Sequence, residues 1–313
     1  MNSTGIAQFV PPPPFDATRT FAAAGATHAL GHALLHDGPP RYRRALRLGG
    51  RIAVLELAAS SDGAALDVRV LAADGPLPDG AAQAAAGWMI DPAFSLAPFY
   101  QFAQQHPILA ETCARLHGLR LLRYTSVFEA LLVTVIEQQI ALRAAQRAER
   151  WLAATYGSRL IVDGVACDVL PTPERMASLT LEQLAPLRIT FVRMRRLLEI
   201  ARMQAEGVLD LEALPHLPPP AMYAALRELR GVGHWTAAWT MIRAAGHYLY
   251  FGRADVALRA AVHHYLHGQR GRMDAAAMDA LFAGYGPFAG LASVMLILRW
   301  AADRDLSAPH PAP

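Results

Sequence analysis

Apolar positions recur along the chain in two rhythms, and the change between them falls near residue 90. Before it, residues 42–48, 52–58 and 66–71 form short runs rich in apolar residues, cut by Gly49-Gly50 and by a Ser-Asp-Gly stretch at 60–63. Short runs joined by such turn residues are hairpin signals. They predict an antiparallel sheet in an α+β N-terminal domain over residues 1–90, entered by an extended proline run at 11–14. From residue 91 the period lengthens. Apolar residues spaced three and four apart over 127–150, 181–206, 220–230, 234–246, 255–267 and 288–302 predict amphipathic helices. Breakers separate them: Pro171 and Pro173, Pro215 and the prolines at 218–220, Gly231 and Gly233, and Gly284, Gly286 and Pro287. The second unit, 91–313, therefore reads as a mostly α-helical core, with a frayed proline-rich tail after Ser307.

Composition sharpens this picture by exclusion. At 53% hydrophobic and 18% charged, the 313 residues can bury a sizeable core. The longest apolar runs end early: Glu129 and Glu137 bracket 130–136, and Arg299 closes 291–298. Both fall short of the ~18 residues that cross a bilayer. With no basic-then-apolar leader over residues 1–15, the expectation is a cytoplasmic protein with no membrane partner. All 29 residues of the Lys+Arg class are arginine, so no lysine amine exists for Schiff-base chemistry. Cys113 and Cys167 are too few for a four-cysteine iron–sulfur cluster or a cysteine-only zinc site. His28, His32 and His36, like His263 and His267, are spaced by four but lack an intervening glutamate or a cysteine pair. They read as surface or packed histidines rather than zinc ligands. Arg41, Arg43, Arg44, Arg47 and Arg51 read as an exposed sheet face.

Charge is uneven. Residues 186–272 hold twelve arginines against six acids, a local +6 in a chain of formal net charge +3. A solvated helix face and a polyanion contact explain this equally well. The stretch Leu226-Arg-Glu-Leu-Arg-Gly-Val-Gly-His-Trp-Thr-Ala-Ala-Trp239 lies in that basic region and reads as helix, Gly-x-Gly hairpin, helix. Such a hairpin turns backbone N–H groups outward at a helix N-terminus, an anion site suited to one backbone phosphate. An ordinary tight helix–helix turn has the same pattern. Twenty residues beyond Trp235, Asp255 opens a helix. It reads as an N-cap, and a carboxylate there is stabilised as the anion by the helix dipole. Trp235 and Trp239, four apart, share a face that either packs in the core or stacks on an electron-poor ring.

Five motifs together go further. Ile136-Glu-Gln-Gln-Ile140, Pro171-Thr-Pro-Glu174, Gly231-x-Gly-x-Trp-Thr-Ala237, Asp255-x-x-Leu-Arg259 and Tyr285-Gly-Pro-Phe288 occur in that order. They resemble the signatures of the helix–hairpin–helix DNA glycosylases, and within them the DNA-3-methyladenine glycosylase II (AlkA) type, over roughly residues 85–302. The resemblance implies a helical core of two subdomains, 116–246 with the hairpin and 91–115 plus 247–313. It implies Asp255 as the catalytic residue and Trp235, Trp239 and Tyr285 as the aromatic pocket for a flipped base. Gly231, Val232, Gly233, His234 and Thr236 would contact DNA, and the carbonyls around Leu229 and Val232 would hold a monovalent cation. Gln139 stands where the family inserts a wedge, and its polar amide departs from the apolar wedge of some members. Strand-cleaving members carry a lysine where this chain has Trp235. The implied activity is therefore monofunctional: hydrolysis of the N-glycosidic bond of alkylated purines, leaving an abasic site. The implied setting is a monomer on double-stranded DNA with a damaged base, at the bacterial nucleoid, without cluster or zinc. Two other readings stand beside it: a non-catalytic helix–hairpin–helix DNA-binding protein, and a glycosylase for oxidised or deaminated bases.

Overall fold

The computed structural model describes residues 5–61, 63 and 65–304. The tail after Ser307 lies outside the described residues, as does Asp62 of the Ser-Asp-Gly turn. The fold is α+β. Strands β1 (Gly5–Phe9), β2 (Gly31–Leu34), β3 (Arg41–Leu48), β4 (Arg51–Ala59) and β5 (Leu66–Ala73) form one antiparallel sheet in the order β1-β5-β4-β3-β2. Gly49 and Gly50 join β3 to β4 with φ of +56° and +80°, the doubly left-handed turn that matches strand twist. Helices α1 (Ala17–Thr27) and α2 (Ala81–Ile90) cover one face, burying Phe21 and Met89 with Tyr42, Leu46, Leu55, Leu57 and Val68.

The other sheet face is covered too, by an element the helical rhythm did not predict. A hairpin of β6 (Ser158–Val162) and β7 (Val165–Val169) packs Val162, Cys167 and Val169 on Ala45, Ile52 and Val54. The arginines of β3 are thus not an exposed sheet face. Arg43 bonds its cross-strand partner Glu56 at 2.7 Å and Asp163 of the β6–β7 turn at 2.8 Å. Arg47 donates to Ser158 Oγ and to the Leu170 carbonyl. Arg44 is buried on the helix side, paired with Glu129 at 2.5 Å and lying over the Tyr124 ring. It donates to His28 Nδ1, so that ring is neutral and carries its proton on Nε2.

The rest is helical: α3 (Ala97–Ala103), α4 (Pro107–Arg115), α5 (Val127–Glu137), α6 (Leu142–Tyr156), α7 (Pro173–Ala177), α8 (Leu181–Leu184), α9 (Phe191–Ala205), α10 (Pro219–Glu228), α11 (His234–Ala245), α12 (Val256–His267), α13 (Ala275–Ala283) and α14 (Ala289–Asp303). No helix of the described residues is long and apolar enough to cross a membrane. These helices bury two separate clusters. One gathers Leu131, Val135, Leu152, Leu197, Leu226 and Met241 from α5, α6, α9, α10 and α11. The other gathers Phe99, Leu109, Leu258, Met278, Phe282 and Leu296 from α3, α4, α12, α13 and α14.

Two of the helices expected from periodicity are broken. The stretch 127–150 divides at residues 138–141, and 181–206 divides around Pro186 and Arg188. The first break carries neither glycine nor proline. Gln139 there adopts φ +55°, while Arg193 donates to the Gln138 carbonyl and the Gln138 amide reaches Thr236 Oγ1 at 2.8 Å. Tertiary partners have replaced the helical ones.

Candidate active site

Helix α11 starts after Gly233, its N-cap in extended backbone geometry, and its residues from Thr236 to Ala245 bury one face. Its first turn carries Trp235, and the next carries Trp239. The indole centroids lie 6.4 Å apart with planes tilted by 59°. Helix α12 starts at Asp255, whose Oδ1 accepts from the backbone N–H groups of Ala257 at 2.8 Å and Leu258 at 3.0 Å. The N-cap reading holds, and it leaves Oδ2 free for another donor. That donor is Trp235 Nε1, at 2.8 Å. Since α11 belongs to one buried helical cluster and α12 to the other, this hydrogen bond spans the seam between them. Gly252 lies against both indoles. A Cβ there would stand 2.6 Å from Trp235 Cδ1 and 3.4 Å from Trp239 Nε1, so only glycine lets the 246–254 connection run this close.

The hairpin precedes α11. Gly231 has φ +87°, and Val232 N–H closes the turn on the Leu229 carbonyl at 3.0 Å. The backbone N–H groups of Gly233, His234, Trp235 and Thr236 meet no acceptor among the described residues. Arg227 and Arg230 are exposed beside them. The arrangement presents donors and positive charge to an anion. The side chains here face inward, however. Val232 is buried. His234 donates from Nε2 to the Phe251 carbonyl and accepts at Nδ1 from the Tyr223 hydroxyl, each at 2.7 Å. Burial, with Arg253 and Arg227 nearby, holds that ring below the ordinary histidine range. Thr236, 2% exposed, receives the Gln138 amide. Any DNA contact from positions 234 and 236 is therefore a backbone one.

Gln139 is exposed at the α5–α6 turn, next to the residue that tethers the hairpin. Tyr285 is not brought to the indoles. It is 2% exposed, packed edge-on against Phe282 and His106, and no ring contact joins it to Trp235 or Trp239.

No protein-family model matches the chain. A DNA-3-methyladenine glycosylase of Bacillus subtilis (strain 168) is 32% identical over 148 residues, 47% of this chain and 49% of that protein. The chain matches about half the length, or slightly less, of the curated relatives it resembles. The solved structure of a 3-methyladenine DNA-glycosylase from Archaeoglobus fulgidus superposes with a TM-score of 0.77 at 19% identity, covering 97% of this chain and all of that one. This is the helix–hairpin–helix DNA glycosylase fold. A Clostridium acetobutylicum 8-oxoguanine glycosylase/lyase, solved with double-stranded DNA, shares the glycosylase fold at a TM-score of 0.71 and 15% identity over 93% of each chain.

Behind the hairpin lie groups that no sequence signal singled out. Arg243, one turn after Trp239, sits with its guanidinium 5.1 Å from that indole's centroid and pairs with Glu137 Oε2 at 2.7 Å. Burial pushes the Glu137 carboxyl up, against the pull of Arg243, and the Asp255 charge adds to the rise. Glu137 Oε1 and Trp239 Nε1 are buried and have no partner among the described residues. Glu137 was legible only as a letter of the 136–140 motif. Its pairing with Arg243, 106 residues away, carries no local signature.

Proposed function

We propose that the chain is a monofunctional DNA glycosylase that flips alkylated purines out of duplex DNA and hydrolyses their N-glycosidic bond, leaving an abasic site. The observation that carries this reading is Asp255: one carboxylate, oriented by three N–H donors, at the seam beside a donor-rich hairpin. Fixed negative charge there complements the oxocarbenium character that the sugar develops as the base departs. An alkylated purine already carries positive charge and leaves without being protonated, so one carboxylate and a water suffice. The base must leave the stack to reach the site. Electron-rich indoles at Trp235 and Trp239 favour a cationic ring over a neutral one, by about 1–2 kcal/mol when desolvated.

The Bacillus subtilis relative supports the alkylated-base reading by its name. The fold is common to alkylation and oxidised-guanine enzymes. The choice rests on the indoles and on the absence of any lysine that could form a covalent adduct with the sugar. The hairpin would hold a backbone phosphate on its free N–H groups. The carbonyls of Leu229 and Val232 are the ones a monovalent cation would take. Arg227, donating to the Val232 carbonyl at 3.5 Å, already brings positive charge to that place.

Base release from duplexes carrying 3-methyladenine, 7-methylguanine, hypoxanthine or 8-oxoguanine tests the reading. Release of the methylated purines is expected. Asp255→Asn should lower it about 10²–10³-fold with DNA affinity retained, and borohydride should trap no covalent adduct. Release of 8-oxoguanine alone, or a robust adduct, would overturn it.

A further inference from the structure

The indole of Trp239 has a fixed cation behind it. Arg243, one turn later on α11, lies over that ring with its guanidinium 5.1 Å from the centroid. Two buried carboxyls act on this guanidinium. Glu137, the last residue of α5, accepts from Nη2 on Oε2 at 2.7 Å, while Nη1 donates to Thr134 Oγ1 at 3.0 Å. Glu149 of α6 feels the same charge, but burial and the Glu137 carboxylate push it well up, so it is the poorer counter-ion. Glu137, bonded directly to the guanidinium, is the group that cancels it. Its other oxygen, Oε1, has no partner among the described residues, and the Asp255 charge is close enough to act on it. The pair thus stands behind the pocket indole and within electrostatic reach of the carboxylate at the seam.

We propose that Glu137 is a specificity-determining residue: by cancelling the Arg243 charge behind Trp239, it lets that indole favour a cationic base over a neutral one. This rests on the alkylated-purine reading above. A base stacked on the opposite face of the Trp239 ring would lie about 9 Å from the guanidinium, a range at which buried charges are little screened. An unpaired Arg243 would repel a cationic base there. It would also draw the indole's π density toward itself and leave less for the far face. A neutral base meets neither penalty. Glu137 therefore sets the difference between the two classes of base, while the sugar chemistry stays with Asp255.

The test measures single-turnover release, with enzyme in excess, of cationic 7-methylguanine and neutral hypoxanthine from otherwise identical duplexes. The ratio of the two rates is read within one preparation, so it does not depend on the fraction of protein that is folded. Glu137→Gln keeps an acceptor for Arg243 and removes the charge; it should lower the ratio about tenfold. Arg243→Met removes the opposing cation and should raise the ratio about threefold. Opposite signs mark an electrostatic role, whereas loss of mere support for the indole would lower the ratio in both. If one variant does not fold, the other decides by its own sign. If the wild type releases 7-methylguanine and the ratios show any other pattern, the inference is wrong and the enzyme reading stands. If the wild type releases neither lesion, the enzyme reading fails and the inference falls with it.

Discussion

Asp255 performs two tasks with two oxygens. Oδ1 caps α12, and Oδ2 receives the Trp235 indole N–H. Under the proposed function Trp235 is thereby a positioning residue as well as an aromatic surface. Trp235→Phe keeps an aromatic face and removes the donor, together with the five-membered ring that carries it. A hydrogen bond to a charged group contributes about 1.5–3 kcal/mol. The expected result is a fall in kcat of about 10- to 100-fold with KM within about twofold, measured under single-turnover and steady-state conditions. The two residues were separately legible, Asp255 as a helix start and Trp235 as half of a tryptophan pair. Their contact was not, because it depends on how the connection between α11 and α12 passes Gly252. Tyr285 shows the converse. Its motif is intact, yet its ring is buried against Phe282 and His106.

Turns, rather than helices, decide the site at the next scale. The α10–α11 hairpin was legible because Gly-x-Gly is a local requirement: Gly231 needs φ +87°, which costs other residues about 1–2 kcal/mol. Gly231→Ala adds a contact with Arg196 to that strain. It should lower stability by about 1–2 kcal/mol in urea melts and weaken DNA binding to a similar extent on every sequence tested. The α5–α6 turn was hidden. Apolar periodicity continues across residues 138–141 with no breaker, and the interruption is made by Arg193 and Thr236 bonding Gln138 from other helices. The β6–β7 hairpin, by contrast, carried a local signal beneath the helical rhythm, since Asp163-Gly164, at φ of +51° and +76°, is an Asp-Gly turn between two short apolar runs. Its inward residues Val162, Cys167 and Val169 fit only a sheet face that the first unit supplies.

At the scale of the molecule, the interior between the sheet and the helical clusters is ionic. Arg44 pairs with Glu129, Arg243 pairs with Glu137, and Glu149 lies buried between these charges with Oε1 unpartnered. Burial raises the Glu149 carboxyl well above its ordinary range and the Glu137 charge adds to this, against Arg243, Arg44 and Arg150. A raised folded-state value means that the folded protein binds this proton more tightly than the unfolded chain. The associated stability is full below the unfolded value, about 4.3, and is lost as pH rises through the folded one. Glu149→Gln should therefore match the wild type in Tm near about pH 5 and exceed it by about 2–4 °C near about pH 8. Thermal melts across that range check the sign.

By itself the sequence determined the α+β class, the antiparallel strands β3, β4 and β5, the Gly-x-Gly hairpin, the cap at Asp255 and the absence of any lysine amine. Each of these rests on local period, local backbone geometry or composition. Only the tertiary structure decided that Trp235 holds Asp255, that Gln138 ties the hairpin, and that Arg43 and Arg44 of β3 are ion-paired. Those are contacts between residues 13 to 120 positions apart. No local pattern encodes them, because the partner's position is fixed by packing of whole elements.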